Sequence, residues 1–170
     1  MSGQAAAVPV SAPRAARLRL SAGLLGGLVG GVTIWIYEFV VQAWLMKTGT
    51  PYSIVENTAV LCFGPTIRSL GLGAFGLGIV IHFATALIWG VVFAWLWPAL
   101  RARGVEATLA ALVFGIVAWI VMHNVLLATF SPNPPVYTVL SVINGFMSHA
   151  LGFAVPMALV IKARMAERPA

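Results

Sequence analysis

The chain has 170 residues, 61% of them hydrophobic and 8% charged, with a net charge of +6. Soluble domains carry roughly 25% charged residues, which excludes a water-soluble globular domain. The ten Lys and Arg lie in small groups between apolar runs rather than in basic patches with groove-reading motifs, so nucleic acid is excluded as a partner, and the one cysteine, Cys62, can form no intramolecular disulfide.

Residues 1–19, opening MSGQAAAVPVSAPRAA, have the small, polar, Pro-containing composition of a disordered tail. Four apolar runs follow, at about 20–45, 73–97, 107–130 and 138–162, and each reaches the roughly 20 residues that a transmembrane helix needs. The first exceeds the roughly 7–15 residues of a signal-peptide core and no clear small-x-small cleavage site follows it, so it reads as a retained span. The connection 46–72 is long and half apolar. Its Ile54, Val55, Val60, Leu61 and Phe63 predict a short interfacial helix around 53–62, lying over the mouth of the bundle. PALRARGVE is a short turn, and SPNPPVY is a tight one in which Pro134 and Pro135 stop any helix. Residues 163–170 are a short tail, and 20–162 form a single domain.

Basic residues set the orientation of such a chain. Arg14, Arg17, Arg19, Arg101, Arg103, Lys162, Arg164 and Arg168 fall on one side of four spans, and only Lys47 and Arg68 on the other. The expectation is an all-α integral membrane four-helix bundle, its N and C termini both cytoplasmic and the lipid bilayer its surroundings. Trp44, Tyr52 and Tyr137 mark the outer interface, and Trp95 and Trp97 the inner one.

Small residues let helix backbones approach closely in lipid. Gly23, Gly27 and Gly31 recur every four residues, as do Gly26 and Gly30. Gly78 and Gly90 lie on a small-residue stripe of the second run that also holds His82, and Gly145, His149 and Gly152 share a face of the fourth. Pro156 cannot donate to the carbonyl of Gly152, which predicts a kink or a freed carbonyl near His149. Gly78-x-x-x-His82 matches Gly145-x-x-x-His149, a spacing that a duplicated two-helix hairpin or chance recurrence of glycine both explain.

Glu38, in TIWIYEFVVQAW, sits where a charge costs on the order of 2.5–3.5 kcal/mol on insertion scales. Counting at about 1.5 Å per residue, Glu38 and His123 lie roughly 10–12 Å below the outer boundary, and His82 and His149 roughly 15 Å. They come one from each run and share one half of the membrane, which predicts a buried polar site with Gln42, Asn124 and Ser148 as hydrogen-bonding neighbours. Tyr37, about 100° around the helix from Glu38, is a weaker candidate. A lone intramembrane histidine is often a packing residue, but four ionisable residues at one level favour a functional site. His82, His123, His149 and Glu38 suit a transition metal as a ligand set. Two histidines on facing helices suit a haem. Without either cofactor the cluster takes up protons, because histidine titrates near neutrality. No Walker loop, dinucleotide fingerprint, HExxH or Ser-His-Asp arrangement occurs, so no catalytic residue is assigned and the reading leans away from an enzyme.

The stretches IHFATALIWGVVFAWLW, MHNVLLATFSPNPPVY and GFMSHALGF are similar to YagU-like bacterial inner-membrane proteins and related small four-span families of unknown function, over about residues 74–162. The resemblance implies a multi-pass protein of the bacterial inner membrane, His82, His123 and His149 as the family's span histidines, and a role in acid tolerance with no established mechanism. The chain departs from the family in its shorter, acid-poor outer loop. The leading expectation is a proton- or metal-linked Glu/His site serving acid-stress physiology. The alternatives are a non-catalytic subunit or assembly factor of a larger membrane complex, with the polar layer serving packing, and a small b-type haem protein. The sequence leaves homo-oligomerisation open.

Overall fold

The computed structural model describes residues 12–132 and 134–166, and among them there is no strand. Helices α1 (Ala12–Leu45), α3 (Leu72–Ala102), α4 (Ala107–Phe130) and α5 (Val139–Ala166) are each long and apolar enough to cross a membrane. Helix α2 (Pro51–Phe63) and a 3-10 turn (Pro65–Leu70) fill the connection between α1 and α3.

Helix α1 starts at Ala12, so residues 12–19 are helical where the sequence predicts disorder. Pro13 sits in the first turn, where its missing N–H costs nothing, and the alanines, leucines and arginines after it are strong helix formers. Arg19 lies over the Trp95 ring, 5.3 Å from its centre. The rest of the predicted tail, residues 1–11, lies outside the described residues, as do residues 167–170. Helices α3 and α5 also outrun their predicted ends, because hydropathy stops at the first cation whereas a helix tolerates Arg101 and Arg164 in its last turn.

The two glycine series on α1 face different neighbours. Gly23 and Gly27 lie on α3: a Cβ on Gly27 would stand 2.5 Å from the Ala86 carbonyl oxygen, and one on Gly90 would strike the Gly23 carbonyl. Gly26 and Gly30 face Ile161 and Phe153 of α5, and Gly115 of α4 packs on the His149 carbonyl. These are backbone-to-backbone contacts of the kind that hold helices together in lipid. Toward the 102–107 turn the bundle is solid, with Phe93, Trp97, Met157 and Ile161 buried among alanines. Exposed side chains along the long helices include Leu24, Leu28, Val80, Ile88, Val113 and Leu159, an apolar surface of the kind that suits a bilayer. Glu106 caps α4 at this solid end, accepting from the Thr108 and Leu109 N–H groups at 2.6 and 3.2 Å, with Lys162 at 3.7 Å.

The opposite end is built differently. Helix α2 begins with a reciprocal cap between Thr50 and Ser53 and stops at Gly64, whose φ of +84° only glycine adopts freely. It lies along α3, its Val55 carbonyl seated on Gly78, with Val55, Glu56, Ala59 and Val60 buried. Buried Glu56 is paired with Arg68 at 2.5 Å. Three of the long helices also widen to π geometry, at Phe39–Leu45, Val121–Leu126 and Ser148–Ala154. Pro156 follows the last of these, and the Gly152 carbonyl, which an α-helix would have left without its donor, accepts from the Thr33 hydroxyl of α1 at 2.6 Å.

Candidate functional site

The three π segments lie at the predicted polar residues. Glu38 is the last residue before the first, His123 lies within the second, and His149 within the third. Such segments recur at functional sites.

Glu38 accepts from two neutral amides. Gln42, one turn on, donates through Nε2 at 2.5 Å, and Asn144 of α5 donates through Nδ2 at 3.1 Å. Among the described residues no Lys or Arg pairs with this carboxylate; the ion pairs are Arg68–Glu56 and Lys162–Glu106. The Asn144 Oδ1 is buried and has no hydrogen-bond partner.

His82 reaches across the α1–α3 contact, where its Nε2–H donates to the Gly31 carbonyl at 2.8 Å. Its ring stacks on Trp35 with centres 4.2 Å apart and planes at 15°. His123 stacks on Trp119 at 5.0 Å and 16°, and its Nδ1 lies 3.2 Å from the Tyr137 hydroxyl, which also donates to the His123 carbonyl at 3.3 Å. The His123 and His149 rings meet edge to face at 5.7 Å. His149 Nδ1–H donates to the Gly145 carbonyl at 3.0 Å, with Ser148 Oγ at 3.1 Å.

Glu38, His82, His123 and His149 line one cavity of about 280 Å³. Trp35, Trp89 and Phe153 give it an aromatic wall, and Asn57, Thr58 and Cys62 of α2 form part of its lining. Burial pushes the Cys62 thiol above its ordinary pKa. Burial likewise holds the Tyr137 phenol neutral.

Two expectations change. Asn124 is exposed and does not line the cavity; Asn144 takes the place next to Glu38. Asn144 is four residues before Ser148, a spacing that puts both on one helical face and is readable in the sequence. The ligand set of Glu38, His82, His123 and His149 is not assembled: among the described residues no three His, Cys, Asp or Glu side chains are grouped to hold a metal ion. The reason is azimuth, since His82 turns its Nε2 to the Gly31 carbonyl while His149 turns its Nδ1 to its own helix. Gln42 and Ser148 do lie in the polar layer, on Glu38 and His149. The tryptophans that carry the histidine rings escaped the sequence reading. Their signal is the shared pattern Gly31-x-x-x-Trp35-Ile36 and Gly115-x-x-x-Trp119-Ile120.

The architecture is therefore an all-helical bundle with four helices of membrane-spanning length and a polar-lined cavity toward one end. No family model matches the chain, and comparison with curated proteins and with solved structures gives no match.

Proposed function

We propose that this is a small multi-pass protein of the bacterial inner membrane, with both termini cytoplasmic, whose cavity is a proton-linked site in the outer half of the bilayer. The observation that carries this reading is that Glu38, His82, His123 and His149, one from each long helix, open onto a single cavity. His123 and His149 are in ring contact, so a proton on one is felt by the other and the cluster titrates as a unit. Tyr137, in the turn between α4 and α5, reaches His123 and offers a hydrogen-bonded way in for a proton. Acid tolerance, the role implied by the resemblance to YagU-like proteins, is the physiology such a site would serve.

The test uses Glu38→Gln, His123→Gln and the double variant, with thermal stability and acid survival followed against pH. Each single change is expected to alter the pH profile, and the double variant to depart from the sum of the singles by about 0.5 kcal/mol or more. A folded Glu38→Gln protein with an unaltered profile would overturn the reading. Orientation has its own check, motivated by the eight-to-two split of basic residues. Reporter fusions after residues 47, 102, 133 and 168 are expected to read out, in, out and in.

A second reading is favoured by the bonds of His82 to the Gly31 carbonyl and of His149 to the Gly145 carbonyl. In it the polar layer fixes helix register within a subunit or assembly factor of a larger membrane complex. A stoichiometric partner co-purifying with the solubilised protein, together with a pH-insensitive Glu38→Gln variant, would favour it.

A further inference from the structure

We propose that the cavity binds a small organic cation, an amine or quaternary ammonium with a compact apolar body, whose charge takes the place of the proton on Glu38. The proposal rests on the proton-linked reading and names what exchanges with the proton.

The argument begins with an unbalanced charge. Glu38 is held by Gln42 and Asn144, both neutral, and among the described residues no Lys or Arg lines the cavity. A carboxylate among apolar side chains is neutralised either by a proton or by a cation beside it. The rest of the lining decides what kind of cation. Trp89 and Phe153, with Trp35 stacked on His82 beside them, line the cavity with aromatic rings, which attract organic cations and accept an apolar body by burial. A metal ion needs lone-pair ligands in place of its water shell, and no grouped ligand set awaits it among the described residues. An anion would meet Glu38 with no cation to offset it. At about 280 Å³ the cavity lies just under the roughly 300–1,000 Å³ of pockets for drug-sized ligands, so the apolar body must be compact.

The sign of the pH dependence follows from the groups around the carboxylate. His82 from α3, His123 from α4 and His149 from α5 line the same cavity, with Cys62 from α2, and Tyr37 precedes Glu38 on α1. A proton and the organic cation compete for the same carboxylate. Binding should therefore weaken as pH falls.

The test titrates benzyltrimethylammonium into the full-length protein in lipid nanodiscs, following tryptophan fluorescence at neutral and mildly acidic pH. Neopentylbenzene, its uncharged counterpart of the same shape, is the control. Expected are saturable binding of the cation at neutral pH, weakening by about tenfold or more in acid and by a similar factor in Glu38→Gln, and no comparable binding of the hydrocarbon. Trp89→Leu keeps the carboxylate and removes a ring, and is expected to weaken binding about threefold to tenfold. It keeps the proposal testable where Glu38→Gln does not fold. Absence of cation binding, equal binding of the hydrocarbon, or an affinity untouched by either substitution would overturn the proposal. The ligand-free pH profile of the Glu38 and His123 variants separates the two ideas. If it shifts and the cation does not bind, only this proposal falls; if it does not shift, the proton-linked reading falls as well.

Discussion

Arg68→Ala is expected to speed alkylation of Cys62 by a small water-soluble thiol reagent by about tenfold, corresponding to about 1.4 kcal/mol of lost closure. The Glu56 side chain is 8% exposed and its ion-pair partner is Arg68, itself 46% exposed. Removing the guanidinium strands a buried carboxylate, at a cost of about 1–3 kcal/mol before solvent screening is allowed for. Moving α2 lets water reach that carboxylate, and the glycines that follow the helix, Gly64 and Gly71, carry no Cβ to oppose a change of backbone angle. Cys62 lies on the face of α2 that lines the cavity, so its labelling rate reads the position of that helix. Arg68→Lys should restore part of the protection. An unchanged rate in Arg68→Ala would show that apolar packing on α3, and not the ion pair, seats the helix.

The second large effect is on assembly. Gly90→Leu is expected to abolish the folded bundle, seen as loss of a monodisperse peak and of a cooperative thermal transition in detergent. Its Cβ alone would strike the Gly23 carbonyl and lie 2.6 Å from the Gly27 Cα, both backbone atoms that cannot move aside without parting α1 from α3. Overpacking of adaptable cores costs about 1–3 kcal/mol, and a rigid backbone contact sits at or beyond the top of that range. Gly76→Leu is the matched control, since a Cβ there meets nothing within 4 Å on the same helix. Equal damage from both changes would mean that helix propensity, rather than the α1–α3 contact, explains the loss.

Contacts set by local spacing were legible in the sequence. The four-residue glycine series on α1 marks the faces turned to α3 and α5, and the apolar run within 46–72 gives a helix at Pro51–Phe63 where about 53–62 is predicted. Ends were less legible, because hydropathy reports where lipid solvation is favourable and not where a helix begins, as the helical stretch from Ala12 shows. The site was half legible. Depth along a helix follows from counting residues, so Glu38, His82, His123 and His149 could be assigned to one level, and they line one cavity. Direction around the helix could not be counted across helices, because depth does not fix which neighbour a side chain faces, and in α4 and α5 the turns that carry His123 and His149 are widened as well. Asn124, expected as a neighbour of the polar layer, is exposed, and Asn144 is found on Glu38. Nor could a shared level say that His82 turns its Nε2 to the Gly31 carbonyl and His149 its Nδ1 to its own helix, so that no grouped metal-ligand set is found among the described residues.

The widened segments have a consequence for how such a cavity arises. A turn closed from i to i+5 holds one residue more than the α turn it replaces. The three segments at Phe39–Leu45, Val121–Leu126 and Ser148–Ala154 are thus places where the chain carries surplus length, beside a half-bundle whose core is close-packed. The hollow is a matter of chain length as well as side-chain choice. In a lineage of such proteins, insertion or deletion of a single codon within one of these segments would enlarge or erase the chamber while the glycine-packed stem kept its register, so the chamber can be remodelled without redesigning the fold.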